Sequence, residues 1–159
     1  MRSLKLFRIR QFVSGDFCLS CLGCCRYNCN PSIWAPNLLK EEKKTLNLRN
    51  LELVVYRQSY ICCFLKPENN LCQIYAQRPL ECRLYPFMLN RFDGEIYLSL
   101  DLHCPFIKDK INKREFKSYS KYLIRYFQKP SVLAILSKNR QIFPSYPASE
   151  ILNLAKLKI

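Results

Sequence analysis

Cys18-Leu19-Ser20-Cys21-Leu22-Gly23-Cys24-Cys25 is the stretch from which the architecture of this chain is read. Three cysteines follow one another at two-residue spacers, and a fourth is adjacent to the last. Thiolates bind soft and borderline cations, and such spacers let neighbouring sulfurs converge on one centre. Outward from this stretch the pattern continues at Cys62, Cys72, Cys82 and Cys104. Eight of the ten cysteines therefore form one spaced set, with Cys29 and Cys63 left over as free thiols or alternative ligands. The spacing predicts a small, loop-rich α+β domain organised around cysteine-bound metal.

The adjacent pair Cys24-Cys25 constrains how the set is used. Neighbouring Cα atoms lie about 3.8 Å apart and their side chains tend to diverge. The two can serve two metal centres or two irons of one cluster. Eight thiolates can build two four-ligand sites, or one metal can sit among bystander thiols. A bacterial ferredoxin continues with Cys-Pro three residues on. Here Cys25 follows at once and Cys29 comes four residues later, which departs from an ordinary ferredoxin. Buried thiols without metal are the alternative, although such thiols are rarely spaced this way.

At 159 residues the chain suits one domain, or one domain with an appendage. A hydrophobic content of 49% excludes a disordered composition. The N-terminal Met1-Arg2-Ser3-Leu4-Lys5-Leu6-Phe7-Arg8 has charges breaking every apolar run, unlike a secretory signal. No apolar run reaches the roughly 18 residues of a membrane span. A cytoplasmic location follows as the expectation, and with it metal chemistry over disulfides. The formal charge is +14. Two four-thiolate sites, each carrying a net charge of −2, lower it to about +10. The protein stays basic, which suits an anionic partner, although solubility alone also explains a basic chain.

Along the chain, residues 1–15 form a basic lead and residues 16–30 hold the first cysteines in irregular turns. A short helix is expected over 38–48 and a strand over 51–57. Helical turns are expected between Tyr75 and Cys82, interrupted at Arg78-Pro79. Phe87–Phe92 and Glu95–Leu100 flank Asp93-Gly94, a strong hairpin signal. Residues 108–128 read as an amphipathic helix, with further helices over 131–138 and 149–157. The expected division is a metal-binding domain over 1–107 and a helical extension over 108–159, packed on it.

The combined motifs resemble the YkgJ-family cysteine cluster proteins, a zinc- or iron-chelating domain typified by CxxCxxCC. The match runs through Cys18, Cys21, Cys24 and Cys25, then Cys62-Cys63-Phe64-Leu65 and Cys72-Gln73-Ile74-Tyr75. It continues from Arg78-Pro79 through Cys82-Arg83 to Tyr85-Pro86-Phe87, and a late Cys-Pro matches Cys104-Pro105. The resemblance spans roughly residues 16–107. It implies metal ligation by Cys18, Cys21, Cys24, Cys25, Cys62, Cys72, Cys82 and Cys104. The metal is zinc or iron, the latter as an iron–sulfur cluster.

Arg78 and Arg83 are candidates to donate hydrogen bonds to sulfur or to offset thiolate charge. Structural roles at a turn and on carbonyls are the alternative. His103 is the single histidine and neighbours Cys104. A histidine-based catalytic pair is excluded unless a cysteine partners it. Lys110, Arg114, Lys117, Lys121 and Arg125 recur on one side of the expected helix 108–128. That stripe is either a solvated face or a surface for an acidic protein or nucleic acid. Three functions remain open: a structural, chelating or carrier metal module; an iron–sulfur protein for electron transfer or as an accessory to an oxidoreductase; and a zinc-stabilised nucleic-acid-binding module.

Overall fold

The computed structural model describes residues 7–159. The part of the basic lead over 1–6 lies outside the described residues. The fold is α+β, and the chain divides into two compact units, Met1–Arg83 and Leu84–Ile159.

In the first unit, helix α1 (Gly15–Ser20) carries Cys18, where irregular turns were expected. Asp16 in its first turn complements the positive helix N-terminus. A Cβ at Gly15 would come 2.6 Å from the Tyr75 hydroxyl, so any larger residue at the helix start would displace the Tyr75 ring. Strand β1 (Arg26–Tyr27) pairs antiparallel with β3 (Ser59–Cys62), which pairs with β2 (Leu53–Tyr56) in the order β1-β3-β2. The β2–β3 turn at Arg57-Gln58 has Arg57 at φ 55°, a conformation the sequence does not announce with Gly or Asn. A second small ladder joins β4 (Leu65–Lys66) to β5 (Leu71–Cys72).

Helix α2 (Lys40–Leu46) falls within the expected 38–48, with Leu38 and Leu39 buried beside it. Leu46 is only half-buried. Glu42 closes the helix start by accepting from Leu39 N at 2.9 Å. Its other oxygen accepts from Leu80 N at 2.6 Å, tying α2 to α3 (Leu80–Leu84). Burial raises the Glu42 carboxyl, opposed by the Leu39 and Leu80 hydrogen bonds and then by Arg83. A 3-10 turn over Tyr75–Gln77 precedes α3, with Arg78-Pro79 as the expected interruption.

In the second unit, β6 (Phe87–Phe92) and β7 (Glu95–Asp101) form the expected hairpin. Asp93 and Gly94 both have positive φ, at 50° and 76°, as a two-residue hairpin turn demands. The sheet order is β6-β7-β8, where β8 is Ile151–Leu157. The expected terminal helix over 149–157 is therefore a strand. Its Leu, Ala and Lys favour helix intrinsically, but pairing along β7 overrides that weak preference. A register shift at Leu98/Ser99 breaks the inside–outside alternation that would have identified a strand.

Helix α4 (Arg114–Phe127) starts six residues later than the expected 108. Residues 104–113 form successive turns, with Lys110 N bonded to Ile107 O and Lys113 N to Lys110 O. Three-residue turns and an α-helix give similar apolar spacing, so periodicity did not separate them. Phe116, Tyr119, Leu123 and Tyr126 are buried. Phe116 stacks on Phe87 at 5.4 Å between centroids, placing this face on the sheet of its own unit. Helix α5 (Pro130–Leu136) begins at a proline, which lacks only a donor that the first turn would leave unused. No helix among the described residues is long and apolar enough to cross a membrane.

Candidate metal centre

Four segments of the first unit deliver the cysteines. α1 and the turn after it carry Cys18, Cys21, Cys24 and Cys25. Cys62 ends β3, and its N–H donates to Cys25 O at 3.0 Å. Cys72 ends β5, opposite Leu65. Cys82 lies within α3. A Cβ at Gly23 would stand 3.1 Å from Cys21 Sγ, so glycine keeps the turn open beside that sulfur.

Cys25 lies within electrostatic reach of Cys18, Cys24, Cys62, Cys72 and Cys82, which come from all four segments. Cys24 donates its S–H to Cys25, which raises Cys24 and lowers Cys25. Arg78 and Arg26 lower Cys25 further against the effect of burial. Burial pushes the Cys62 thiol up to about 12, with Cys25 and Cys63 adding to the rise. Burial likewise raises Cys18, Cys72 and, most strongly, Cys82. In this form most of the set holds protons, which a cation would displace.

The two arginines separate. Arg78 lies over the Tyr75 ring at 3.6 Å and donates to Tyr75 O and Gln11 Oε1. Its charge reaches Cys18, Cys25 and Cys72. Arg83 donates to Phe7 O at 2.7 Å and approaches Glu42 at 3.9 Å. Its Nε is buried with no hydrogen-bond partner among the described residues.

Several participants carried no sequence signal. Arg26 donates to Asn70 Oδ1 at 2.7 Å, and Asn70 Nδ2 donates to Leu19 O at 2.9 Å. This bridge ties the β4–β5 loop to the segment of Cys18–Cys25. Asn70 has φ 56°, a conformation Asn adopts more readily than most residues. Tyr27 donates to Cys24 O at 2.9 Å, and burial raises its phenol. Cys63 acts on Cys62 and Cys72 and thus stands closer to the set than its place outside the motif suggests. Cys29 is exposed. Cys104 belongs to the second unit, where it is buried. His103 is there too, with Nδ1 at 3.1 Å from Asp101 Oδ1.

All ten cysteines are free thiols. Among the described residues, no three Cys, His, Asp or Glu side chains are grouped as they would be around one metal ion. The donor chemistry does fit a thiophilic cation: soft sulfur donors within electrostatic reach of one another, flanked by the guanidinium groups of Arg78 and Arg26. The class so defined is a thiolate-rich metal-binding protein. A family model described as "Putative zinc- or iron-chelating domain", CxxCxxCC, matches residues 17–117, and the chain belongs to that family. No curated protein and no solved structure matches the chain.

Proposed function

We propose that the chain chelates zinc or iron through Cys18, Cys21, Cys24, Cys25, Cys62, Cys72 and Cys82, as a structural or carrier site. What supports this reading is membership of the zinc- or iron-chelating family over residues 17–117, together with the pairing of two cysteine-bearing segments where Cys62 N–H donates to Cys25 O at 3.0 Å. Loading must draw these sulfurs closer together and release their protons, so affinity rises with pH. Arg78 and Arg26 offset the thiolate charge that loading creates. Arg83 instead braces α3 through Phe7 and Glu42. The assignment of Cys104 rests on its Cys-Pro motif alone.

Elemental analysis and visible absorption of anaerobically purified protein test the reading. Zinc leaves the protein colourless, whereas an iron–sulfur cluster absorbs in the visible. Cys25→Ser and Cys82→Ser lower the metal stoichiometry, because a hydroxyl replaces thiolate poorly. Cys29→Ser leaves it unchanged. A folded Cys25→Ser protein with full metal content would sink the proposal. Equal losses at Cys63→Ser and Cys72→Ser would show that Cys63 also ligates.

A further inference from the structure

The second unit carries a groove that the metal reading does not use. It has a volume of about 370 Å³ and is lined by Ser118, Lys121, Tyr122, Arg125, Tyr126 and Lys129. The lining residues fall into two adjacent rows on α4 and the turn that follows it. One row is Lys121, Arg125 and Lys129, at four-residue steps, extended N-terminally by Lys117 and Lys113. The other is Ser118, Tyr122 and Tyr126, each one residue further along. Residues four apart lie on one helix face, about 6 Å apart along the axis.

The two rows differ in chemistry and exposure. Lys117, Lys121, Arg125 and Lys129 are exposed, whereas Tyr122 is half-buried and Tyr126 buried. The Tyr rings continue a ladder, Tyr119 to Tyr122 at 5.5 Å and Tyr122 to Tyr126 at 6.0 Å. Lys129 Nζ sits 5.2 Å from the Tyr126 ring centroid, at one end of the groove. From Lys110 to Arg140 the only acidic residue is Glu115, so nothing in this segment beyond the helix start offsets the cations. A solvated face needs neither the aromatic row nor the groove. An acidic peptide would match the cations but make no use of the half-buried Tyr122 ring beside them.

We propose that this groove binds single-stranded nucleic acid, with Lys121, Arg125 and Lys129 on successive phosphates and Tyr122 offering its ring to a base. Cations that follow a backbone beside aromatic rings that accept bases are the elements of sequence-tolerant single-strand binding. The site is independent of the cysteines.

The test is fluorescence anisotropy of the 159-residue chain, as purified, with a labelled oligouridylate of about 12 nucleotides, a length within the usual single-strand site sizes. Binding is expected to weaken with salt at a log–log slope near −2, for about three phosphate contacts. Lys121→Glu with Arg125→Glu weakens binding at least tenfold and flattens the slope. Tyr122→Ala also weakens it about tenfold but leaves the slope unchanged, since stacking releases no counterions. Tyr122→Phe restores binding. Melting temperatures and metal content of the variants verify that the fold is retained, and the two charge variants lie on exposed positions. A single mononucleotide binds far more weakly than the oligomer. Absence of oligomer binding, equal affinity for a duplex of the same length, or full affinity in folded Tyr122→Ala would overturn the proposal. Displacement by polyglutamate as effective as by unlabelled oligomer would also overturn it, by assigning the surface to acidic protein.

Discussion

The two units differ in how much sheet and apolar core they carry. In the first, β1, β4 and β5 are two residues long, and β2 and β3 only four. In the second, β6, β7 and β8 run six or seven residues in one continuous sheet. The apolar cores differ in the same sense. Among the described residues, Leu84, Phe87, Leu89, Leu98, Leu100, Leu123, Phe127 and Leu136 are fully buried in the second unit, against Phe7, Leu38, Leu39 and Leu80 in the first. Short ladders and few large apolar side chains bury little surface, and small cores of that kind commonly rely on a metal or other cross-link.

Removing the metal is the strongest way to break this comparison. Binding to a structural thiolate site contributes on the order of 10 kcal/mol to folding. Chelation should therefore abolish amide protection over residues 53–72 and leave it over 87–101. Hydrogen exchange of verified apo-protein measures both regions at once. Equal protection in the two would show that the first unit stands on its apolar contacts alone.

Leu123→Asp attacks the other unit. Leu123 is fully buried in α4, and an unpaired carboxylate there should cost about 4 kcal/mol or more. The expected outcome is loss of protection in β6 and β7 with metal still bound by the first unit. Thermal denaturation combined with metal analysis reads both effects. Metal loss in proportion to unfolding would mean that the two units fold as one.

Glu42→Ala sharpens the account of the first unit. The substitution leaves the N–H groups of Leu39 and Leu80 without their carboxylate acceptor, at a cost of about 2–3 kcal/mol. A denaturant titration of the metal-loaded protein should show a lower midpoint. An unchanged midpoint would mean that the link between α2 and α3 contributes little beside the metal.

The smallest effect is expected at the exposed cations. Lys117→Glu with Lys121→Glu should change stability by no more than about 0.5 kcal/mol and leave metal content unaltered. A drop of several degrees in melting temperature would show that the basic row supports the fold.

Much of this was legible in the residues. Asp93-Gly94 announces its hairpin because few dipeptides accept two positive φ angles in succession. Arg78-Pro79 announces its break because proline denies the helix a donor. The cysteine set was legible in its spacing, since ligand chemistry requires particular atoms at particular intervals, and the family in the resemblance of the motifs around it. The strand at Ile151–Leu157 was not legible, because seven residues of mixed apolar pattern take their conformation from the edge they meet. Nor was the Arg26–Asn70 bridge, whose partners lie 44 residues apart. The sequence by itself determined which atoms are available to bind metal and where the tight turns fall. Only the tertiary structure decided that Arg78 reaches the thiols while Arg83 turns to Glu42, and that β8 completes a sheet. Those outcomes depend on long-range packing, and local spacing carries no record of it.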